Sequence, residues 1–165
     1  LLFSAARADH LEQVIRPALL SGQHVLCDRF SDSTLVYQGY AGTGDIAVLK
    51  TLEKIVIGST VPDLTFFIDL PAEIGLQRIK VRSSEINSTA PKNEKSNLSN
   101  RNKYSNPDRY ETRDLEFHEK LRQGYLKIAH QDPSRCVVIN GHQSLDKVSA
   151  AIWNVLEERI LKRYE

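Results

Sequence analysis

Methionine is absent from all 165 residues, and the chain opens on Leu1-Leu2-Phe3 in what reads as a helix already under way. A natural product begins with methionine, so the expectation is that these residues are part of a longer chain. Cysteine is almost as scarce, with two residues, and no CxxC or HExxH pattern accompanies them. That excludes a disulfide scaffold or a zinc cluster built from sequence-local ligands. Cys27 and Cys136 both fall in runs expected to be buried strands, and read as reduced small hydrophobes of a cytoplasmic protein. No apolar run is long enough to span a bilayer, so a membrane is not an expected partner. Neither sign of charge dominates: 22 Lys and Arg face 21 Asp and Glu, for a net charge of +1. The basic residues are scattered rather than massed, so a nucleic-acid polymer is not expected either. No Ser-His-Asp or Cys-His arrangement stands out. The phosphate-loop pattern G-x-x-x-x-G-K-[ST] does not occur.

What is present is an ordinary globular composition, 41% hydrophobic, sufficient for one domain with a real core. Helical spacing of Leu2, Phe3, Ala6, His10, Val14 and Ala18, with Leu11, Ile15 and Leu19 alongside, predicts a helix over residues 2–20. Pro17 predicts a kink or a new short turn within it, and Ser21-Gly22 its end. His24-Val25-Leu26-Cys27 reads as a buried strand. A polar series then runs to Gly39, and Gly39, Gly42 and Gly44 mark a flexible surface loop. Asp45 caps the next helix, whose apolar face is Ile46, Leu49, Leu52 and Val56, and Gly58 stops it. Leu64-Thr65-Phe66-Phe67-Ile68 is a strand of the buried parallel type. Pro71 opens a helix running to about Arg82.

Residues 83–106 are rich in Ser, Asn and Lys with almost nothing to bury, and read as a mobile segment. A helix to about Ala129 follows, buried through Leu115, Leu121, Tyr125 and Ile128. Cys136-Val137-Val138-Ile139 is a third strand. A last helix carries Leu145, Val148, Ile152, Leu156 and Ile160. Strands alternating with helices predict a parallel sheet covered on both faces, a three-layer α/β/α domain. Three strands are few for such a sheet, and the expectation is that N-terminal strands supply the rest. The domain covers residues 1–165, with an insertion at about 83–107.

The chemistry concentrates where the first strand ends, at Asp28-Arg29. Ligands of open parallel sheets bind just past the carboxyl ends of strands. Arginine there offers a planar fork to phosphate or carboxylate, and aspartate can hold a metal or water. The pair reads equally as a structural salt bridge beside a turn. Phe3 and Arg7, one turn apart, supply either a stacking ring with a donor fork or, for Phe3, a plain core residue. Thr34 and Tyr37 share a side if the polar series is helical, where a tyrosine packs against a sugar. Arg78, Lys80 and Arg82 complement a helix C-terminus or serve a ligand.

At this point the residues resemble a family. Leu2-Phe3-Ser4-Ala5-Ala6-Arg7-Ala8-Asp9-His10, Ile15-Arg16-Pro17-Ala18-Leu19, Cys27-Asp28-Arg29-Phe30, Ser33-Thr34-Leu35-Val36-Tyr37-Gln38-Gly39, Pro62-Asp63-Leu64, Gly75-Leu76-Gln77-Arg78 and Asp108-Arg109-Tyr110-Glu111 together are similar to the bacterial thymidylate kinases, which belong to the P-loop nucleoside monophosphate kinases. The resemblance implies a P-loop kinase-like fold and ATP-dependent phosphorylation of dTMP to dTDP with Mg²⁺, in a homodimer. It also implies roles. Phe3 stacks on thymine and Arg7 bonds to the base, with Thr34 and Gln38 reading it. Tyr37 packs under the deoxyribose. Arg29 holds the acceptor phosphate, and Asp28 lies beside it at the Mg²⁺ site. Arg78, Arg82 and Arg109 are the candidates to approach the ATP phosphates from the lid. The phosphate loop and the early Asp/Glu-Arg-Pro-Gly segment of the family are not among these residues. Two other functions remain open: another nucleotide or deoxynucleoside kinase, and a non-catalytic nucleotide-binding module.

Overall fold

The computed structural model describes residues 1–89 and 113–163. Helix α1 is built of three successive stretches, Leu2–His10, Leu11–Ile15 and Arg16–Leu20. The middle stretch is wound wider, with the Arg16 N–H reaching back five residues to the Leu11 carbonyl. Pro17 accounts for this: it has no N–H, and its ring crowds the carbonyl four residues back, which a wider turn relieves. Gly22, at φ 76°, closes the helix. Its N–H bonds to Leu19 O, and that of Gln23 to Ala18 O, the paired bonds of a glycine-terminated helix. The buried stripe is narrower than the periodicity predicts. Leu11 and Ile15 are buried against Ile57, Phe30 and Val56, whereas Leu2, Phe3 and Val14 face outward.

The expected strand at residues 24–27 does not form. Among the described residues the sheet has two strands, β1 (Thr65–Asp69) and β2 (Cys136–Asn140), parallel and in register with Phe67 opposite Val138. Val25 is 37% exposed and Leu26 fully exposed. An apolar run supplies strand propensity, but a strand also needs a neighbour for its backbone groups, and no described strand lies alongside this one. Cys27 is accordingly half-buried rather than in a strand core, its thiol directed to the Arg29 carbonyl at 3.7 Å, while Cys136 is buried as expected.

The polar series is a helix. α2 comprises Ser31–Thr34 and a wider stretch, Leu35–Tyr40. α3 is Ile46–Ile57, capped by Asp45, whose Oδ1 accepts from the N–H groups of Ala47 at 2.7 Å and Val48 at 3.2 Å. Gly58, at φ 56°, ends it. α4 is Ala72–Thr89, extending seven residues past Arg82 through the start of the segment read as a lid. α5 is Leu115–Gln131, capped by Asp114 through the Phe117 N–H at 2.9 Å. α6 is Leu145–Arg159. Leu145 is 82% exposed, and the expected stripe of α6 is only partly buried, from Val148 onward.

α5 lies against both strands and against α2, and this junction is the main core. Leu35, Val36, Leu121, Ile128, Ala129 and Cys136 are buried there, with Phe67, Phe117 and Tyr125 packed on them. The architecture is α/β with a parallel sheet. No helix among the described residues is long and apolar enough to cross a membrane.

Candidate functional site

α1 and α2 bring the first cluster together. Arg7 is half-buried, and its Nη2 donates to Thr34 Oγ1 at 2.8 Å and to the Phe30 carbonyl at 3.3 Å. The guanidinium also stands over the Phe30 ring, 5.5 Å from its centre. Burial lowers the Arg7 pKa from its ordinary value, and the nearby Glu53, Cys27 and Asp32 oppose that. One guanidinium nitrogen is thus tied to α2, and the planar fork is aimed by it. Phe3, one helical turn earlier, is 62% exposed. It is therefore not a core residue, and its ring is open to stack on a flat ligand.

The second cluster is Arg29 with Tyr37. Arg29 is exposed, with its guanidinium carbon 4.3 Å from the centre of the Tyr37 ring. Its backbone is at φ 63°, alone among the described non-glycine residues in the left-handed region. Such a conformation costs about 1–3 kcal/mol and is characteristic of residues held for function. The turn delivers Arg29 onto the face of α2 that Tyr37 occupies. Phe117 meets Tyr37 edge-on, with ring centres 6.3 Å apart. The Arg113 guanidinium lies 5.1 Å from the Phe117 ring centre. Two exposed cations thus cover the ends of one aromatic pair.

The remaining predicted residues are placed less tightly. Asp28 is exposed beside Arg29. Gln38 is half-buried, and its carbonyl accepts the Gly44 N–H at 2.7 Å. Arg78 and Arg82 stand exposed on α4, a different helix from those carrying the two clusters. Arg109 lies outside the described residues. No group of three or more His, Cys, Asp and Glu side chains suited to a metal is found among the described residues.

Sequence reading missed the long-range pairs that tie α2 and the end of β1 to the rest of the fold. Ser33 shares a 2.9 Å hydrogen bond with the Tyr125 hydroxyl, whose pKa burial pushes up. Asp32 is buried and held by Arg135 through bonds of 2.8 and 3.0 Å. Asp69, at the end of β1, is gripped by Arg122 at 2.7 and 3.0 Å. Each pair joins residues at least 53 positions apart, so no local pattern announces it. Tyr125 had a helical-face signal, but one that points to burial alone.

Comparison with known proteins gives a consistent picture. The thymidylate kinase family pattern matches residues 1–104. A thymidylate kinase of Caulobacter vibrioides is 46% identical over 160 residues, which are 97% of this chain and 66% of that protein. One from Nitrobacter winogradskyi is 45% identical over 161 residues, covering 98% of this chain and 62% of the relative. The chain thus spans a little under two thirds of the length of these relatives. The crystal structure of thymidylate kinase from Ehrlichia chaffeensis superposes with a TM-score of 0.65 at 27% identity, over 94% of this chain and 63% of that one.

Proposed function

The chain belongs to the thymidylate kinase family, and on that premise we propose that the protein it forms part of transfers the γ-phosphoryl group of ATP to dTMP, giving dTDP. The observation that carries this reading is the 2.8 Å bond from Arg7 to Thr34, with Arg29 stacked on Tyr37 of the same helix. Two guanidinium forks, one from α1 and one from the turn before α2, thus meet residues of the same helix, which supports one reading the base and the other the phosphate.

In this reading thymine stacks on Phe3. Arg7 presents its fork to a base oxygen, and Thr34 and Gln38 line the same edge. Tyr37 lies under the deoxyribose, and its fixed ring leaves little room for a 2′-hydroxyl. Arg29 clamps the acceptor phosphate. That phosphate is already largely ionised at neutral pH, so no strong general base is needed. Transfer is direct and in line, without a covalent enzyme intermediate. Asp28 is the residue that would hold Mg²⁺. A single carboxylate beside the substrate phosphates fits that ion, which keeps most of its ligands as water and phosphate oxygen and supplies charge neutralisation. Arg78, Arg82 and Arg109 are proposed to approach the ATP phosphates. We further propose a three-layer domain and a homodimer that pairs through α1, where Val14 and Leu19 are exposed.

The test is a nucleotide competition assay on the full-length protein. dTMP should be the preferred acceptor among the deoxynucleoside monophosphates. Arg29→Ala should lower kcat/KM for dTMP at least tenfold, about 1.4 kcal/mol. Preference for a different base, or an unaltered constant in Arg29→Ala, overturns the assignment.

A further inference from the structure

Three consecutive residues of α2 are held by three different parts of the molecule. Thr34 takes its bond from Arg7 of α1, and Ser33 pairs with Tyr125 of α5. Asp32 is gripped by Arg135, which stands immediately before β2. The third attachment differs in kind. The Asp32 and Arg135 side chains are 10% and 14% exposed. Arg135 Nη1 donates to Asp32 Oδ2 at 2.8 Å and Nη2 to Oδ1 at 3.0 Å. Arg135 is in turn fixed from two sides: Nη1 also donates to Thr65 Oγ1 at 2.9 Å, and Nε to Asp132 Oδ2 at 2.9 Å. Thr65 begins β1, and Asp132 begins the turn into β2.

We propose that Arg135 is a positioning residue for the acceptor site, fixing α2 against the sheet so that Thr34 and Tyr37 face the bound nucleotide at a set height and rotation. This rests on the reading above, in which α2 carries the acceptor-binding groups. A two-pronged arginine–carboxylate pair defines an angle as well as a distance. With the guanidinium pinned by Thr65 and Asp132, that angle is referred to the strands. Tyr37 lies five residues beyond Asp32, about 7.5 Å along the helix, so a tilt at the pair is carried into the site. Displacements of about 1 Å in a positioning element are enough to impair a reaction far from the altered residue. Apolar packing of Leu35 and Val36 gives α2 stability, but it is non-directional and leaves rotation less defined.

The proposal separates from a plain stabilising role by where its effects fall. In the full-length protein, Arg135→Met should raise the KM for dTMP at least fivefold while the KM for ATP stays within twofold. Arg135→Lys keeps the charge without the fork and should fall between. Asp32→Asn, nearly the same size as the native residue, should shift the same constant in the same direction and serves if Arg135→Met does not fold. Amide hydrogen exchange gives a readout independent of the reaction. Amides of residues 34–38 should exchange at least tenfold faster in the variants, with those of Phe67 and Ile139 in the β1–β2 ladder within twofold of the parent. Equal acceleration at both places, or a dTMP KM unmoved in every variant of an active enzyme, overturns the positioning role. If the parent protein does not phosphorylate dTMP at all, the functional reading fails, and the exchange pattern alone decides whether Arg135 orients α2.

Discussion

Arg122 and Asp69 show what a single pair contributes at the residue scale. Arg122 reaches from α5 to the end of β1 with two nitrogens, at 2.7 and 3.0 Å. Both side chains are less than a third exposed. The Arg122 hydrogen bond, partly opposed by burial, holds the Asp69 carboxyl below its ordinary range. A carboxylate with a depressed folded pKa adds stability above its unfolded pKa, near 3.9, and that addition is lost as the pH falls through the lower folded value. Arg122→Met should therefore cost about 1 kcal/mol at neutral pH. It should also flatten the acid side of the stability profile below about pH 4. Thermal melts of parent and variant across pH 2–7 check this, and two profiles that run parallel throughout would show that the pair is not the source. At this same scale, Arg7 stood out one turn after Phe3, Tyr37 three residues after Thr34, and Arg29 at the end of an apolar run, while what each would do came from the family resemblance. Asp32, Arg122 and Arg135 did not stand out, since a polar residue's partner across the fold leaves no trace in its neighbours.

Among the elements, α2 was an open case. Its polar series offered helix only as a condition under which Thr34 and Tyr37 share a side, and it forms a helix whose Leu35 and Val36 sit in the main core. Two apolar residues in a polar run are too few to register as a periodic face. The glycines that follow it look like a flexible loop, but the structure uses them for close approach. A β-carbon on Gly42 would stand 2.5 Å from the Gln38 carbonyl oxygen and 2.8 Å from that of Tyr37. These are backbone atoms, unable to swing aside as the tip of a side chain can. Gly42→Ala should consequently destabilise by about 1–3 kcal/mol. Because the displaced carbonyls belong to the last turn of α2, the variant should also weaken dTMP binding. Paired denaturation and titration measurements test this. A Gly42→Ala protein as stable as the parent would mean that the loop does have slack. The helices ended by Gly22 and Gly58 were read correctly, because there glycine has a conformational reason as well as a spatial one.

For the whole molecule, alternation of strand and helix was enough to reveal a parallel α/β fold, since parallel neighbours need a long crossover connection and a helix usually supplies it. The number of strands was not legible, because residues 24–27 have the composition of a strand without a described partner. The same asymmetry bears on function. Phe3, Arg7, Arg29, Thr34 and Tyr37, the proposed acceptor groups, all lie within these 165 residues, while no G-x-x-x-x-G-K-[ST] loop does. A chain with acceptor groups but no such loop should bind one nucleotide and fail to turn it over. We expect the 165-residue chain alone to be stabilised by dTMP. A concentration ten times the dissociation constant adds about 1.4 kcal/mol, which for a chain of this size raises Tm by roughly 3–6 °C. ATP at the same concentration should shift it far less, and no dTDP should form with both present. Arg29→Ala in this chain should abolish the dTMP shift, which ties the binding to the phosphate-reading fork rather than to stacking on Phe3 alone. An ATP shift as large as that of dTMP would place donor-binding groups within these residues after all, with the exposed Arg78 and Arg82 of α4 the first to substitute.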